Sequence, residues 1–325
     1  MKLSVIVPCY NEQAVLLQTH ARLTQVLANI GMSYEIIYVD DGSQDETKRL
    51  IKQLCDQNTH AKGLILSRNF GHQVAVSAGL EEAQGDAVIL IDADLQDPPE
   101  VIHAFIAQWR EGYEVVYGQR RSREGETAFK LITANLFYRL INKLSEVEIP
   151  LNTGDFRLMD RKVVNALLAM PERHRLLRAM TSWVGFNQIS VPYDRCKRWA
   201  GESKYPLKKM LNLAIDGIVS FSTIPLRLIT LLGTALFALS VCAIFYALIM
   251  RLFTQDWVPG WTLMFIALMG IGGMQFMCIG VLGEYIGRIY SETKGRPLYF
   301  VSEKLGFAHK TTPSKDKELS STASA

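Results

Sequence analysis

Three short apolar runs punctuate the first third of the chain. Leu3 to Pro8, Glu35 to Val39 (EIIYV) and Ala87 to Ile91 (AVILI) are rich in β-branched residues and lack strict apolar/polar alternation. Strands buried on both faces of a parallel sheet read this way. Helical periodicity fills the intervals, over Ala14 to Asn29 behind a turn at Asn11, Asp45 to Asn58 behind a turn at Gly42, and Gln73 to Ala83. This alternation predicts a doubly wound, Rossmann-like α/β domain with a mostly parallel sheet. Leu64 to Leu66 and Val115 to Tyr117 fit as further strands. The order sets acidic residues just after three strand ends, and open α/β sheets bind ligands at that edge.

Further along, Gly125 to Leu144 returns to helical spacing, a polar turn spans Pro150 to Asp155, and another helix begins near Arg161. The segment YPLKKMLNLAIDGIVSF is basic and Leu-rich and predicts an interfacial helix just ahead of a membrane. Leu228 to Met250 and Trp257 to Gly283 carry no charge, and each exceeds the roughly 20 residues that a bilayer core requires. Two transmembrane helices are expected, at about 228–250 and 259–283. Lys208, Lys209 and Arg227 precede the pair and Arg288, Lys294, Arg296 and Lys304 come after it, whereas the loop between carries only Arg251 as a cation. Both flanks are therefore expected in the cytoplasm and the loop outside. The domains read as 1–204 catalytic, 205–226 juxtamembrane, 227–284 transmembrane hairpin, and 285–325 cytoplasmic tail, whose polar end is assigned no structure.

Composition narrows the partners. A net charge of +3, with no Lys/Arg stripe interleaved with aromatics, gives no reason to expect nucleic acid. The cysteines are scattered without a CxxC pair, and no HExxH or His/Cys spacing suggests zinc. The N-terminus moves from a short apolar run straight into turn chemistry, unlike a signal peptide. The last apolar run holds Gly270, Gly272, Gly273, Gly280, Gly283 and Gly287, which suit close helix packing and lead us to expect a homo-oligomer.

The most pointed chemistry is Ile91-Asp92-Ala93-Asp94-Leu95-Gln96-Asp97-Pro98-Pro99. Three carboxylates and an amide leaving a buried strand repel one another unless a cation is present. Hard oxygen ligands on few side chains suit Mg²⁺ or Mn²⁺ completed by substrate phosphates. Asp97 reads equally as the cap of a helix starting at Pro98. Pro8-Cys9-Tyr10-Asn11-Glu12 and Asp40-Asp41-Gly42-Ser43 end at the same edge, able to hold a base and ribose but also ordinary turn chemistry. Neither GxGxxG nor GxxxxGK[ST] stands after any strand, which disfavours dinucleotide and P-loop enzymes.

Taken in order, PCYNE, DDGS, SRNFG with its downstream AG, DADLQDPPE, NTGDFRLMDR, GESKY and GVLGEYIGRIY resemble the family 2 glycosyltransferases that load a sugar onto a polyprenyl phosphate. The resemblance covers about residues 1 to 300. It is strongest to the bactoprenol glucosyltransferases of the GtrB type and more distant to dolichol-phosphate mannose synthases and the ArnC type. It implies a GT-A fold, a UDP-sugar donor with UDP-glucose foremost, and inverting transfer to undecaprenyl phosphate at the cytoplasmic face of the inner membrane. By motif position Asp94 and Gln96 face the metal, with Asp92 beside it toward the ribose or diphosphate. Pro8, Tyr10, Glu12, Asp41 and Ala93 fall to the nucleotide sugar and Asp40 to the uracil. Asp155 takes the catalytic place, and Arg120, Arg198 and Lys204 the acceptor phosphate.

A phosphate monoester has its second pKa near ~6, so the attacking oxygen is largely ionised at neutral pH and needs a general base less than a sugar hydroxyl does. Asp155 therefore reads as a base, as a group that orients the acceptor through a neighbouring cation or secures the metal shell, or as an N-cap or salt-bridge partner of Arg157. Rival readings are the same transfer from GDP-mannose or another UDP-sugar, and a non-catalytic membrane module serving a flippase or a downstream transferase.

Overall fold

The computed structural model describes residues 1–121, 153–173, 175–196, 224–253 and 261–307. The helix expected over 125–144, the interfacial segment, Arg198 and Lys204 lie outside the described residues.

The core is an eight-stranded sheet in the order β7-β5-β6-β4-β1-β2-β3-β8. Its strands are β1 (Lys2–Cys9), β2 (Ser33–Asp40), β3 (Ala61–Leu66), β4 (Ala87–Leu90), β5 (Val115–Arg120), β6 (Thr153–Asp160), β7 (Gln188–Tyr193) and β8 (Val301–Leu305). The four predicted central strands run parallel, β5 and β7 pair parallel, and β6 and β8 run the other way. The sheet is thus mixed, an α/β arrangement of the GT-A kind. Continuous apolar runs are explained by its two cores: Val5, Val7, Ile36 and Tyr38 join one cluster, while Ile6, Ile37 and Val39 join the other. Alternate side chains of a strand point to opposite faces, so a strand covered on both needs apolar residues throughout.

The helices are α1 (Leu16–Ala28), α2 (Thr47–Gln57), α3 (His72–Glu82), α4 (Ile102–Arg110), α5 (Arg161–Ala169) and α6 (Leu177–Trp183), and then two long ones, α7 (Ile224–Phe253) and α8 (Trp261–Thr293). The helix near Arg161 begins as expected, with the Asp160 carboxylate accepting from the Lys162 N–H at 3.0 Å. Counting only described residues, no helix is long and apolar enough to cross a membrane, and many side chains of α7 and α8 lie outside the description.

Two expectations need correction. The polar turn placed at Pro150 to Asp155 gives way at Thr153 to a buried strand, whose charged Asp155 and Arg157 hid its character. The tail drawn from residue 285 begins instead as the last turns of α8 and then returns as β8 on the β3 edge. That edge is further held by Tyr299 Oη donating to Glu81 at 2.5 Å and Lys304 Nζ to Glu82 at 2.5 Å.

One buried carboxylate ties β1, β2 and β3. Glu35, 2% exposed, accepts from Lys2 Nζ at 2.8 Å, Lys62 Nζ at 2.7 Å, Ser4 Oγ at 2.6 Å and the Gln84 N–H at 2.9 Å. Burial alone would raise its pKa, but these four donors hold it at about 2, against an ordinary 4.5. A depressed carboxylate stabilises the fold fully above its unfolded pKa, and this contribution fades as pH falls toward the folded value. Glu35→Gln is expected to cost about 1.5–3 kcal/mol at pH 7, the range for hydrogen bonds to a charged group. The gap between wild type and variant in denaturant unfolding should narrow from pH 5 to pH 3.5; a constant gap would contradict this linkage.

Candidate active site

The C-terminal ends of β1, β2 and β4 form one edge, and their loops are laced together there. After β1, Asn11 has a left-handed backbone (φ 55°), its N–H donates to Ser43 Oγ at 2.9 Å, and its side-chain oxygen accepts from the Gln44 N–H at 2.8 Å. The Glu12 N–H donates to Thr47 Oγ1 at 2.9 Å. Pro8 and Tyr10 flank Cys9, which pairs across the sheet with Asp40.

The two β2 carboxylates differ in use. Asp40 is 1% exposed and accepts weakly from the Ser43 N–H, at 3.3 Å. Burial pushes its pKa up. Asp41 accepts from the Phe70 N–H at 2.7 Å and the Gly71 N–H at 2.9 Å, so its oxygens anchor the loop before α3. Gly71 has φ +104°, a conformation L side chains rarely adopt, and it opens the helix that carries His72 and Gln73.

The acidic loop after β4 is clamped from both sides. Thr19 Oγ1 on α1 donates to the Ala93 carbonyl at 2.7 Å, and the Cys196 N–H after β7 donates to the Gln96 carbonyl at 2.9 Å. Leu95 is left-handed (φ 56°) and buried; such backbone strain in a non-glycine residue persists only where its surroundings fix it. Asp94 accepts from the Gln96 N–H at 3.1 Å, closing the turn. Asp92 keeps 35% of its side chain exposed. Burial raises its pKa to about 6, opposed by His72 and reinforced by the charges of Asp155, Asp97 and Asp94.

Asp97 is not the helix cap that its position suggested. The 3-10 turn at Pro99–Val101 has no side-chain cap. Instead Tyr193 Oη donates to Asp97 Oδ1 at 2.5 Å, with Arg195 at 3.6 Å and Arg120 at 3.8 Å. Its other oxygen, Oδ2, is buried without a hydrogen-bond partner among the described residues. The Arg120 guanidinium also lies against Gly154, 2.7 Å from where a Cβ would stand.

Asp155 arrives on β6, the antiparallel neighbour of β4. Leu90 pairs with Arg157 in the antiparallel β4–β6 ladder, so moving two residues outward along each strand brings Asp92 and Asp155 to the same level. His72 Nε2 lies 3.3 Å from Asp155 and 3.7 Å from Asp92. Gln73 Nε2 donates to Asp155 Oδ2 at 2.9 Å, and Arg178 on α6 sits 3.4 Å from Oδ1. Burial would raise the Asp155 pKa, but Arg178 and His72 hold it far below the usual carboxylate range. For His72 burial pulls down, but the Asp155 bond and the Asp92 and Asp155 charges lift it to about 9. Arg157 is not the partner of this carboxylate. It donates to Thr181 Oγ1 at 2.5 Å and to the backbone carbonyls of Asp155 and Gly154.

The edge therefore gathers Asp92, Asp94, Gln96, Asp97, Arg120 and Asp155. Reading the sequence missed His72, Gln73, Arg178 and Tyr193; the SRNFGHQ stretch was visible as a motif, but nothing in it signalled contact with a carboxylate over 80 positions away. Among the described residues no group of three or more His, Cys, Asp or Glu side chains is gathered to hold a metal. The donor set still fits a cation that brings its remaining ligands with a phosphate, because Asp92 is raised first by burial and then by the charges of Asp155, Asp97 and Asp94, which a cation would offset.

Residues 4–168 match the family described as glycosyl transferase family 2, and residues 224–289 match the GtrB C-terminal hairpin. An uncharacterized glycosyltransferase of Synechocystis sp. is 47% identical, over 95% of this chain and 97% of that protein. The bactoprenol glucosyl transferase of Shigella phage SfX is 40% identical, over 94% of this chain and 100% of that protein. Glucosyl-3-phosphoglycerate synthase from Mycobacterium tuberculosis, solved with Mn²⁺, UDP and phosphoglyceric acid, is 20% identical over 67% of this chain and 76% of its own, with a TM-score of 0.42. The two matched segments and the relatives aligned along nearly the whole chain lead to one statement: this chain is a glycosyltransferase that belongs to glycosyl transferase family 2.

Proposed function

We propose that the protein transfers glucose, with inversion, from UDP-glucose to a polyprenyl phosphate at the cytoplasmic face of the inner membrane. The observation that carries the reading is the convergence of Asp92 and Asp155 on His72, which joins the acidic loop to the GDFRLM strand at one edge. A relative named for bactoprenol glucosylation along nearly the full chain supports the acceptor and the sugar. Transfer from GDP-mannose or another UDP-sugar has no observation that favours it.

Asp94, Gln96 and Asp92 would hold Mg²⁺ or Mn²⁺, which when bound offsets charge on the diphosphate of the departing UDP. Pro8, Tyr10, Glu12, Asp40 and Ala93 lie where the nucleotide sugar is received. Asp41 serves that pocket indirectly, through the loop it anchors. A phosphate oxygen of the acceptor forms the new bond to the anomeric carbon, while the bond from that carbon to the UDP oxygen breaks and its electron pair leaves with UDP. No proton need be removed from an acceptor already ionised. Asp155 suits this route, since its oxygens are occupied by Gln73, His72 and Arg178 and it is held ionised, a poor proton acceptor. Its role is to orient the cations around it.

Arg120 lies beside Gly154 and can face the acceptor phosphate, the place also given to Arg198 and Lys204 outside the described residues. Helices α7 and α8 span the bilayer in this reading, supported by the hairpin match and by uncharged runs longer than roughly 20 residues. Among the described residues, a Cβ on Gly270, Gly272, Gly273, Gly280, Gly283 or Gly287 of α8 would meet nothing within 4 Å. Small residues at these positions suit close helix packing, which supports a homo-oligomer.

Asp94→Ala, or EDTA, should abolish lipid-linked product from radiolabelled UDP-glucose in a membrane assay; full activity in either case would sink the cation assignment. The rate should rise with pH through ~6 as the acceptor phosphate loses its second proton. Asp92 titrates in the same window, so the profile is repeated with a phosphonate acceptor: an inflection that does not move with the acceptor places the titrating group on the protein. In a background with the native cysteines replaced, Gln255→Cys should react with an impermeant maleimide on intact cells and Ser302→Cys only after lysis. The reverse pattern would refute the topology.

A further inference from the structure

Four guanidinium or imidazole groups surround the Gly154-Asp155 corner, and they are not equally occupied. Arg157 is 3% exposed and its donors are spent on Thr181 Oγ1 and on the Asp155 and Gly154 carbonyls. Arg120 divides between Asp97 and Tyr193. His72 lies between Asp92 and Asp155. Arg178 stands apart. Among the described residues its ion pair is with Asp155 Oδ1, at 3.4 Å, against the ~2.7–2.9 Å of a well-formed charged hydrogen bond. Its Nε is buried with no hydrogen-bond partner among those residues. A buried donor left unpaired costs more than a bond foregone, and in a native fold it calls for an absent acceptor. The side chain nevertheless keeps 21% of its surface exposed, so a ligand can reach it.

The charges point the same way. Asp155 is one carboxylate facing both His72 and Arg178, with Gln73 already donating to the oxygen that His72 approaches. A second anion is needed to engage the guanidinium fully. A planar fork with spare N–H groups, loosely paired and partly exposed beside the reaction centre, fits a phosphate in bidentate fashion.

We infer that Arg178 is a phosphate ligand of the acceptor, resting against Asp155 when the site is empty and turning its free N–H groups to the lipid phosphate when acceptor binds. The inference rests on the reading of the acceptor as a polyprenyl phosphate. In it Asp155 acts as the positioning residue that holds Arg178, and Gln73 fixes both, since its Oε1 accepts from the Leu177 N–H at 3.0 Å immediately before Arg178. The acceptor phosphate is thereby gripped from α6 as well as from β5, which carries Arg120.

The test measures binding without turnover, on the full chain in nanodiscs, with farnesyl phosphate as probe, farnesol as its phosphate-free control, and UDP with Mn²⁺ as a separate ligand. Wild type should bind farnesyl phosphate far more tightly than farnesol. Arg178→Gln should weaken farnesyl phosphate by about 10- to 100-fold, on the order of a lost charge-assisted bond, and leave UDP affinity and farnesol binding unchanged. Arg178→Lys should fall between, keeping the charge but not the fork. Unaltered farnesyl phosphate binding by Arg178→Gln would overturn the inference, leaving Arg178 as a structural partner of Asp155. Loss of UDP affinity in both variants would overturn it too, by showing that the residue holds the site's fold. If wild type binds UDP but no farnesyl phosphate, the lipid-phosphate reading of the function fails instead.

Discussion

Like-charge crowding at one edge of the sheet governs this site. Asp92, Asp94, Asp97 and Asp155 come from two strands that are distant in sequence, and each is accommodated differently. Asp155 is surrounded by donors from α3 and α6, Asp97 by Tyr193 and two arginines, and Asp94 by the turn it closes. Asp92 is left with its pKa raised and, among the described residues, His72 for relief. The other three are tied into the surrounding elements, whereas Asp92 keeps 35% of its side chain exposed. In the proposed function, a cation arriving with a diphosphate would meet that arrangement already in place and offset the charge of Asp92.

The antiparallel strand β6 makes that crowding possible. A parallel strand delivers only its exit loop to the C-terminal edge, and β1, β2 and β4 each contribute in that way. A strand entering from the same edge contributes its beginning, which is how Asp155, near the start of β6, reaches the level of Asp92. The reversal also explains why Arg157 is spent structurally. Two residues further inward it lies between the sheet and α6, where burial obliges every donor to find an acceptor.

The central strands and α1 to α3 were legible because burial on both faces and helical spacing are local signals. The acidic loop was equally plain, since its carboxylates lie within six positions. The features that sequence did not reveal depend on register and on distant partners. The start of β6, Thr153 to Asp155, reads in sequence as a polar turn because buried charges break the apolar pattern, and those charges are tolerated only through Thr181, Arg178 and Gln73. Asp97 looked like a cap because Pro-Pro comes next, and only the fold supplies Tyr193. Arg120 could be placed near phosphate chemistry by family position, but Arg178 could not: nothing near it in sequence distinguishes it from Arg173 or Arg175, which serve α8 and the end of α5.

Arg173 donates to Glu292 on α8 through its N–H at 2.9 Å and to the Arg296 carbonyl through its guanidinium. Arg175 closes α5 by donating to the Leu167 and Met170 carbonyls. Leu177 is fixed by Gln73, and Arg178 comes next, at Asp155. One short segment thus runs from α8 to Asp155, with Arg173, Arg175, Leu177 and Arg178 each held by a different element. Beyond α8 the chain returns to the sheet as β8, so the second helix is tethered to the catalytic domain on both sides of its exit. A lipid acceptor, as proposed for this protein, is confined to the depth at which its headgroup lies. Joining the segment that carries Arg178 to the base of α8 would then set the height at which the proposed phosphate site stands.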